Sequence, residues 1–143
     1  MNYCLPDMPK VYWIKKITYR CKSCGHESEY LVPNSDDIVK YKEKDGTEIK
    51  WLPTYGKGGY IDLMCKLVPN HKFNDPITMK IAKEFNSKLS NFIETSLNGK
   101  IFILNDNLNL CDKCHSKELH YIRECILTSP EINWLKISCD LIK

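Results

Sequence analysis

Cysteines are the residues of this 143-residue chain that are best suited to chemistry, and four of the eight form two closely spaced pairs. Cys21 and Cys24 lie in the segment YRCKSCGH, and Cys111 and Cys114 lie in LCDKCH. Two C-x-x-C turns can direct four thiolate sulfurs at one cation, and four thiolates fill the tetrahedral shell of a structural zinc ion. The spacing therefore predicts a single Zn²⁺ site made of Cys21, Cys24, Cys111 and Cys114.

The cellular compartment decides whether such cysteines bind metal or form disulfides. The first segment, MNYCLPDMPK, has neither the basic region nor the apolar stretch of a signal peptide. No run of about 18 apolar residues is present that could span a bilayer. We therefore expect a cytoplasmic protein without a membrane segment, in which the thiols stay reduced and are free to bind a metal.

A long insertion separates the two cysteine pairs. It runs from residue 25 to residue 110, which is 86 residues, against roughly 15 to 20 in a compact zinc finger. The fold must therefore bring the pairs together, and we expect one zinc-stabilised domain over residues 1–143 with knuckles at 21–24 and 111–114. Replacement of one knuckle cysteine by another ligand is an open alternative. The candidates are His26, His115, Cys125 and Cys139.

Both knuckle segments, YRCKSCGH and LCDKCH, resemble the paired knuckles of zinc-ribbon proteins. The resemblance covers about a dozen residues and concerns the motif alone. It implies that a hairpin carries each C-x-x-C, that Gly25 adopts a left-handed turn and that the metal is structural. The second knuckle departs from the pattern because His115 stands where the first knuckle has Gly25. Zinc ribbons occur in proteins of many functions, so the resemblance implies zinc without implying an activity.

Alternating apolar residues and turn-forming residues predict mostly antiparallel strands. Residues 10–20 alternate at period two, which predicts a strand that runs into the first knuckle. Its apolar face is expected to consist of Val11, Trp13, Ile17 and Tyr19. Asp45 and Gly46 predict the turn of a hairpin within IVKYKEKDGTEIKWL. Further strands are expected at HESEYLV, KIFIL, HYIRECILT and INWLKISCDLI, the last two of which place Cys125 and Cys139 in strand interiors.

A longer amphipathic helix is predicted between Asp75 and Gly99. Asp75 is a suitable N-cap, Pro76 suits the first helical position, and Gly99 suits the residue just past the end. The apolar residues recur at helical spacing, opposite a face of lysines and glutamates. They are Ile77, Ile81, Phe85, Leu89, Phe92 and Ile93. The expected fold is α+β, with a largely antiparallel sheet, one principal helix and a zinc-ribbon-like knuckle pair.

Signatures of known catalytic sites are missing from the sequence. The zinc deaminase signature requires H-x-E and P-C-x-x-C, whereas Glu27 directly follows His26 and Leu110 precedes Cys111. The segment HSKELH does not match H-E-x-x-H, and G-x-S-x-G does not occur. We therefore expect a non-enzymatic protein-binding module, such as an inhibitor or immunity-type protein that blocks a partner protein.

The candidate surface for a protein partner lies in the segment WLPTYGKGGY. Aromatic side chains beside a glycine-rich turn suit an interface, because aromatic residues are frequent anchors of protein contacts. The predicted partner-binding residues are Trp51, Tyr55, Lys57 and Tyr60. An alternative is that the backbone of residues 56–59 binds an anion at the start of a helix, although the phosphate-loop pattern G-x-x-x-x-G-K-[ST] is not matched.

Nucleic-acid binding is the alternative function. A strand that carries basic and aromatic side chains beside a zinc knuckle can bind a phosphate backbone and stack bases. The candidate residues are Lys10, Lys15, Lys16, Arg20 and Lys22. Against this, the formal net charge is only +3, which is small for a protein whose main contacts are to phosphates.

Overall fold

The computed structural model describes residues 2–8, 10–33, 37–44, 46, 48–72, 75–94, 102–104 and 110–142. In chain order, the strands and α-helices are β1 (Tyr3–Cys4), β2 (Trp13–Cys21), β3 (Glu27–Pro33), β4 (Ile38–Glu43), β5 (Ile49–Pro53), α1 (Tyr60–Leu67), α2 (Met79–Leu89), β6 (Phe102–Leu104), β7 (Leu119–Thr128), β8 (Ile137–Ser138) and α3 (Cys139–Ile142). Helices occur together with antiparallel sheets, which confirms the predicted α+β class. No described helix is long and apolar enough to cross a membrane.

These elements form two compact units. The helical unit comprises Met1–Lys10, Asp36–Asn105 and Asn133–Lys143, and the knuckle unit comprises Val11–Ser35 and Asp106–Ile132. Both cysteine pairs belong to the knuckle unit, so a site that joins them lies inside one unit. Whether the two units fold as the single zinc-stabilised domain predicted over residues 1–143 stays a prediction.

A three-stranded antiparallel sheet forms the knuckle unit, with β2 in the centre between β3 and β7. Strand β2 runs into the first knuckle as predicted, but it begins at Trp13 rather than at Lys10. The predicted apolar face is wrong at its start, because Val11 is 71% exposed while Tyr12 and Ile14 are buried. Ser129 fixes this arrangement, since its hydroxyl accepts a hydrogen bond from the Tyr12 amide at 2.7 Å and donates one to the Tyr12 carbonyl. Both faces of β2 carry apolar residues, and alternation alone cannot tell which one is covered.

The helical unit contains the predicted hairpin, formed by β4 and β5, with β6 on the other side of β4. Asp45 of the predicted turn lies outside the described residues. Helices α1 and α2 supply much of the apolar core, where the rings of Tyr60 and Phe85 meet edge to face with centroids 5.2 Å apart. Leu63 and Met64 of α1 are fully buried in the same cluster. This packing is what holds α1 in place.

Helix α2 is shorter than predicted. Thr78, not Asp75, is its N-cap, because the Thr78 hydroxyl accepts a hydrogen bond from the Ile81 amide at 3.2 Å. The α-helix ends at Leu89, followed by a 3₁₀ turn over Ser90–Phe92. Ile93 is already extended and bridges to Ile137, so burying Ile93 overrides the helical spacing. Gly99, the predicted end, lies outside the described residues.

Only a short middle part of the last predicted strand is a strand in the structure, and its end is helical. Strand β8 contains two residues, and Cys139 begins α3, so the prediction that Cys139 lies inside a strand is wrong. Cys125 does lie inside β7, but its side chain is exposed rather than part of a core. Neither residue is a buried core thiol, and Cys139 is half-buried.

Candidate metal centre

The four predicted cysteine ligands lie together at one end of the knuckle-unit sheet. Their sulfur atoms are all within 4.8 Å of one another, and the Cys21–Cys114 and Cys24–Cys111 sulfur pairs are each 3.5 Å apart. Four thiolates at about 2.3 Å from one zinc ion would lie about 3.8 Å from one another. A disulfide would bring two sulfurs to about 2.05 Å, so all four are free thiols. The group could therefore hold one metal ion.

The first knuckle is a turn between β2 and β3. The Gly25 amide donates to the Cys21 carbonyl at 2.9 Å, and the Cys21 amide donates to the His26 carbonyl at 2.9 Å. The Ser23 amide points at the Cys21 sulfur from 3.4 Å. Gly25 has a φ of 78°, the left-handed conformation that the zinc-ribbon resemblance implied.

The second knuckle repeats this hydrogen-bond pattern. The His115 amide donates to the Cys111 carbonyl at 2.9 Å, and the Cys111 amide donates to the Ser116 carbonyl at 3.0 Å. The Lys113 amide lies 3.4 Å from the Cys111 sulfur. His115 has a φ of 61°, so it takes the backbone conformation that Gly25 has in the first knuckle. The sequence difference between the knuckles is therefore a difference in side chain and not in backbone.

Substitute ligands are not part of the group. Among the described residues, the cluster of potential ligand atoms contains Cys21, Cys24, Cys111 and Cys114 and no others. His26, His115, Cys125 and Cys139, the alternatives left open by the sequence, are outside it.

Strand β3 positions the second knuckle through two side chains. The Tyr30 hydroxyl donates a hydrogen bond to the Leu110 carbonyl, directly before Cys111. The Ser28 hydroxyl accepts a hydrogen bond from the Asp112 amide at 3.4 Å. Neither residue is among those predicted from the sequence. Their spacing of two along a predicted strand, directly after the first knuckle, is the signal that could have identified them, because it places both on one face.

The knuckles also contact each other directly. The Lys22 amide donates to the Glu118 carbonyl at 2.9 Å, and the Ser23 hydroxyl donates to that of Ser116 at 3.2 Å. These bonds join segments that are more than 90 residues apart in sequence. The thiol cluster is thus held by the protein backbone as well as by any metal.

Each knuckle supplies one inner and one outer sulfur. Cys21 and Cys111 retain 2% and 0% of their accessible surface, whereas Cys24 and Cys114 are exposed. With four thiolates bound, a tetrahedral cation has no remaining position for water or a substrate. The arrangement therefore suits a structural metal site that solvent reaches from one side.

Hydrogen bonds favour the thiolate form of the inner cysteines. Burial disfavours a charge on Cys21, but hydrogen bonds from the backbone of Cys24 and Ser23 and from neighbouring thiols outweigh it and lower the pKa of Cys21 to about 6. The pKa of Cys111 is lowered too, chiefly by a backbone hydrogen bond from Cys114. The two inner cysteines therefore ionise more readily to the thiolate form, which is the form that binds a cation.

The outer cysteines shift the other way. A backbone hydrogen bond from Ser116 lowers the pKa of Cys114. The hydrogen bond with the Cys21 side chain and burial of the thiol outweigh this effect and raise the pKa of Cys114 to about 12. A backbone hydrogen bond from His26 lowers the pKa of Cys24, but burial and neighbouring thiols outweigh it, so this pKa is raised. A cation must displace the protons of both outer thiols.

The basic residues of the nucleic-acid alternative are mostly paired. On β2, Lys15 lies 3.9 Å from a Glu124 carboxylate oxygen, Lys16 lies 3.2 Å from Glu29, and Arg20 lies 3.4 Å from Glu27. In the helical unit, Lys10 forms an ion pair with Asp37. Lys22 is exposed. Carboxylates on both neighbouring strands, β3 and β7, thus form ion pairs with the basic side chains of β2.

The predicted partner-binding residues divide into buried and exposed ones. Trp51 and Tyr60 retain 1% and 6% of their surface and belong to the interior of the helical unit, so neither offers its ring to a partner. Tyr55 is 50% exposed, and Lys57 is also exposed. The latter two line a cleft of about 590 Å³ together with Gly56, Ile61, Asp62 and Cys65.

The anion-site alternative for residues 56–59 is not supported. The Gly58 amide donates to the Asp62 carboxylate at 2.8 Å, and the Gly59 amide donates to the Gly56 carbonyl at 3.1 Å. These amides are satisfied inside the protein, and one of them by a carboxylate of the chain itself. A phosphate would have to displace Asp62.

No protein-family model matches this chain, and no similar curated protein or solved structure was found. The resemblance to zinc ribbons therefore rests on the two knuckles, the local geometry of which follows one hydrogen-bond pattern.

Proposed function

We propose that this protein is a non-enzymatic, zinc-stabilised protein-binding module. The observation that carries the proposal is the close approach of four cysteine sulfurs from two matching knuckles. Tetrahedral sites made only of thiolates select zinc or iron among the common metals. Zinc has no redox chemistry of its own, and in a complete thiolate shell it acts by linking chain segments.

The proposed role of zinc is to close the knuckle unit. Its binding would join a hairpin near the start of the chain to a segment that begins 87 residues after Cys24, at Cys111. Because the unfolded chain has no preformed site, the free energy of metal binding becomes free energy of folding. The surface for a partner then lies elsewhere, and we place it at Tyr55 and Lys57 of the helical unit.

Tyr55 supports the protein-binding proposal because the residue is 50% exposed and lines the cleft. Aromatic rings that meet a partner at such a cleft are frequent hot spots of protein interfaces. In its finer form, the proposal is that the bound module blocks its partner, as an inhibitor or immunity-type protein does. Blocking a partner requires tight binding, and a binding surface that rearranges little when the partner binds favours tight binding.

Nucleic-acid binding is disfavoured by the charge of the knuckle unit. That unit contains seven basic residues (Lys and Arg) and seven acidic residues (Asp and Glu). The helical unit contains fourteen basic and eleven acidic residues, so the whole net charge of +3 lies there. Affinity for nucleic acid depends on unpaired cations that can replace phosphate counterions.

Two measurements test the proposal. Elemental analysis of purified protein should find one zinc ion per chain, whereas iron would give a coloured, redox-active protein. For the binding role, tagged protein expressed in its native cells should capture a protein partner that is lost with Tyr55→Ala. Met79→Ala is the matched control, because Met79 is 75% exposed in the same unit and lies outside the cleft. Equal capture by both variants, or capture of nucleic acid alone, contradicts the proposal.

A further inference from the structure

The turn of residues 56–58 holds Lys57 on a fixed backbone. Gly56 and Gly58, on either side, have φ values of 93° and 82°. The Lys57 carbonyl accepts a hydrogen bond from the Asp7 amide at 2.9 Å. These left-handed positions are open to glycine and strained for other residues, so they determine the direction in which Lys57 leaves the turn.

Close packing further restricts this turn. A Cβ atom on Gly58 would lie 2.9 Å from Cγ1 of Ile142 and 3.2 Å from Cα of Pro6. A Cβ atom on Gly59 would lie 2.7 Å from the Tyr55 carbonyl oxygen. Side chains and backbone of the helical unit therefore touch the turn on its inner side, which leaves Lys57 directed outward.

Lys57 is a cation without a partner in the described part of the chain. Its ammonium group makes no hydrogen bond or ion pair there, whereas the cleft's carboxylate, Asp62, is doubly bound. Asp62 accepts from the Gly58 amide at 2.8 Å and lies 3.1 Å from the ammonium group of Lys66. The cleft thus presents one unpaired positive charge beside a neutralised negative one.

The remaining wall of the cleft is apolar. Tyr55 stands at its edge, and Ile61 and Cys65 of α1 are half-buried in it. Its volume of about 590 Å³ is enough for an apolar side chain and its neighbours. The exposed ring of Tyr55 suits the side chain of a larger partner better than an enclosed small molecule.

We propose that the cleft binds an exposed acidic segment of a partner protein. A carboxylate of that segment pairs with Lys57, and an adjacent apolar side chain packs between Tyr55 and Ile61. Charge complementarity favours this occupant, because the helical unit carries the whole positive excess of the chain. The inference rests on the proposed protein-binding function and names the chemistry of the partner.

Selection from a displayed library of random twelve-residue peptides tests this inference. The wild-type protein should enrich peptides with Asp or Glu next to a large apolar residue. The Lys57→Glu variant should enrich Lys or Arg at that position and should bind wild-type-selected peptides at least tenfold more weakly. The matched control is Lys83→Glu, because Lys83 is exposed on α2 outside the cleft, and it should leave the acidic preference unchanged.

The result separates the inference from the broader proposal. Absence of enriched peptides, an acidic preference that survives Lys57→Glu, or equal effects of Lys57→Glu and Lys83→Glu overturns the inference. If Tyr55→Ala abolishes binding of the natural partner but Lys57→Glu retains full affinity for it, the protein-binding function stands and the inference that the bound segment is acidic is wrong. If Tyr55→Ala has no effect on the natural partner, the proposed function fails at this surface.

Discussion

His115 in the second knuckle adopts the same left-handed backbone conformation as Gly25 in the first, with φ values of 61° and 78°. Each donates its amide hydrogen to the carbonyl of the first cysteine of its knuckle at 2.9 Å. A residue with a Cβ atom pays a conformational penalty there that glycine avoids. The second knuckle therefore stores strain that the first does not.

Removing this strain should stabilise the protein. We expect His115→Gly to raise the free energy of unfolding by about 1 kcal/mol, because glycine adopts a positive φ at little cost. Gly25→Ala should lower it by about the same amount, since the new Cβ meets no atom within 4 Å and only the backbone is strained. Chemical denaturation with saturating zinc measures both. His26→Gly is the control, and equal effects of the two histidine substitutions would contradict the explanation.

Loss of a knuckle cysteine should remove the metal. We expect Cys111→Ser to lower zinc affinity at least a hundredfold and to unfold the knuckle unit, because in the proposed structural site metal binding would supply folding free energy. Competition with a chromophoric chelator measures the affinity, and circular dichroism follows the fold. Cys125→Ser is the matched control, since Cys125 is exposed on β7 outside the cluster. A folded Cys21→Ser/Cys111→Ser protein without metal would show that zinc is not needed for folding.

Zinc binding should release protons, and the affinity should rise with pH. The pKa of Cys114 is raised to about 12 and that of Cys24 is also raised, so both thiols carry protons at pH 7.5 and lose them to the metal. The bound form holds fewer protons, so acid favours release of the metal. Near pH 7.5 these two thiols alone should make the logarithm of the association constant rise by about 2 per pH unit.

The slope should steepen below the pKa of Cys21. Cys21, with a pKa lowered to about 6, joins the protonated thiols below that pH and adds about one proton to those released. Chelator competition between pH 5.5 and 8 gives the slope directly. An affinity independent of pH would mean that all four thiols are already ionised.

Tyr30 should stabilise the second knuckle through its hydroxyl group. Tyr30→Phe removes the hydrogen bond to the Leu110 carbonyl, and we expect a loss of about 1 kcal/mol in the free energy of unfolding. Tyr121→Phe is the matched control, because the Tyr121 ring is 50% exposed and packs edge to face on Tyr19. Denaturant titration measures both. If both substitutions lower the free energy of unfolding equally, the Tyr30 hydrogen bond has no specific role.

The ion pairs on β2 should suppress nucleic-acid binding. We expect wild-type protein to bind single-stranded DNA only weakly, with a dissociation constant of about 10⁻⁴ M or higher at physiological salt. Glu27→Gln/Glu29→Gln frees Arg20 and Lys16 and should strengthen binding by at least fivefold, with a steeper salt dependence. Fluorescence anisotropy measures this. Tight wild-type binding that Arg20→Ala abolishes would instead support the nucleic-acid alternative.

The sequence by itself determined the features that depend on local spacing and on the chemistry of residue types. The hairpin of β4 and β5, the strands on both sides of the first knuckle and the α+β class follow from alternation and turn residues. The pairing of Cys21 and Cys24 with Cys111 and Cys114 was also predictable despite the long insertion. A tetrahedral cation needs four ligands, and no other C-x-x-C pair exists in the chain.

Only the tertiary structure decided which apolar residues are covered. Trp51 and Tyr60 were expected on the surface beside Tyr55, but the core of the helical unit encloses both and leaves Tyr55 exposed. Ile93 has helical spacing with α2, yet it is extended because it pairs with Ile137. Local patterns record that a residue is apolar, whereas burial depends on distant segments, and the free energy gained by covering an apolar side chain exceeds the differences in local propensity.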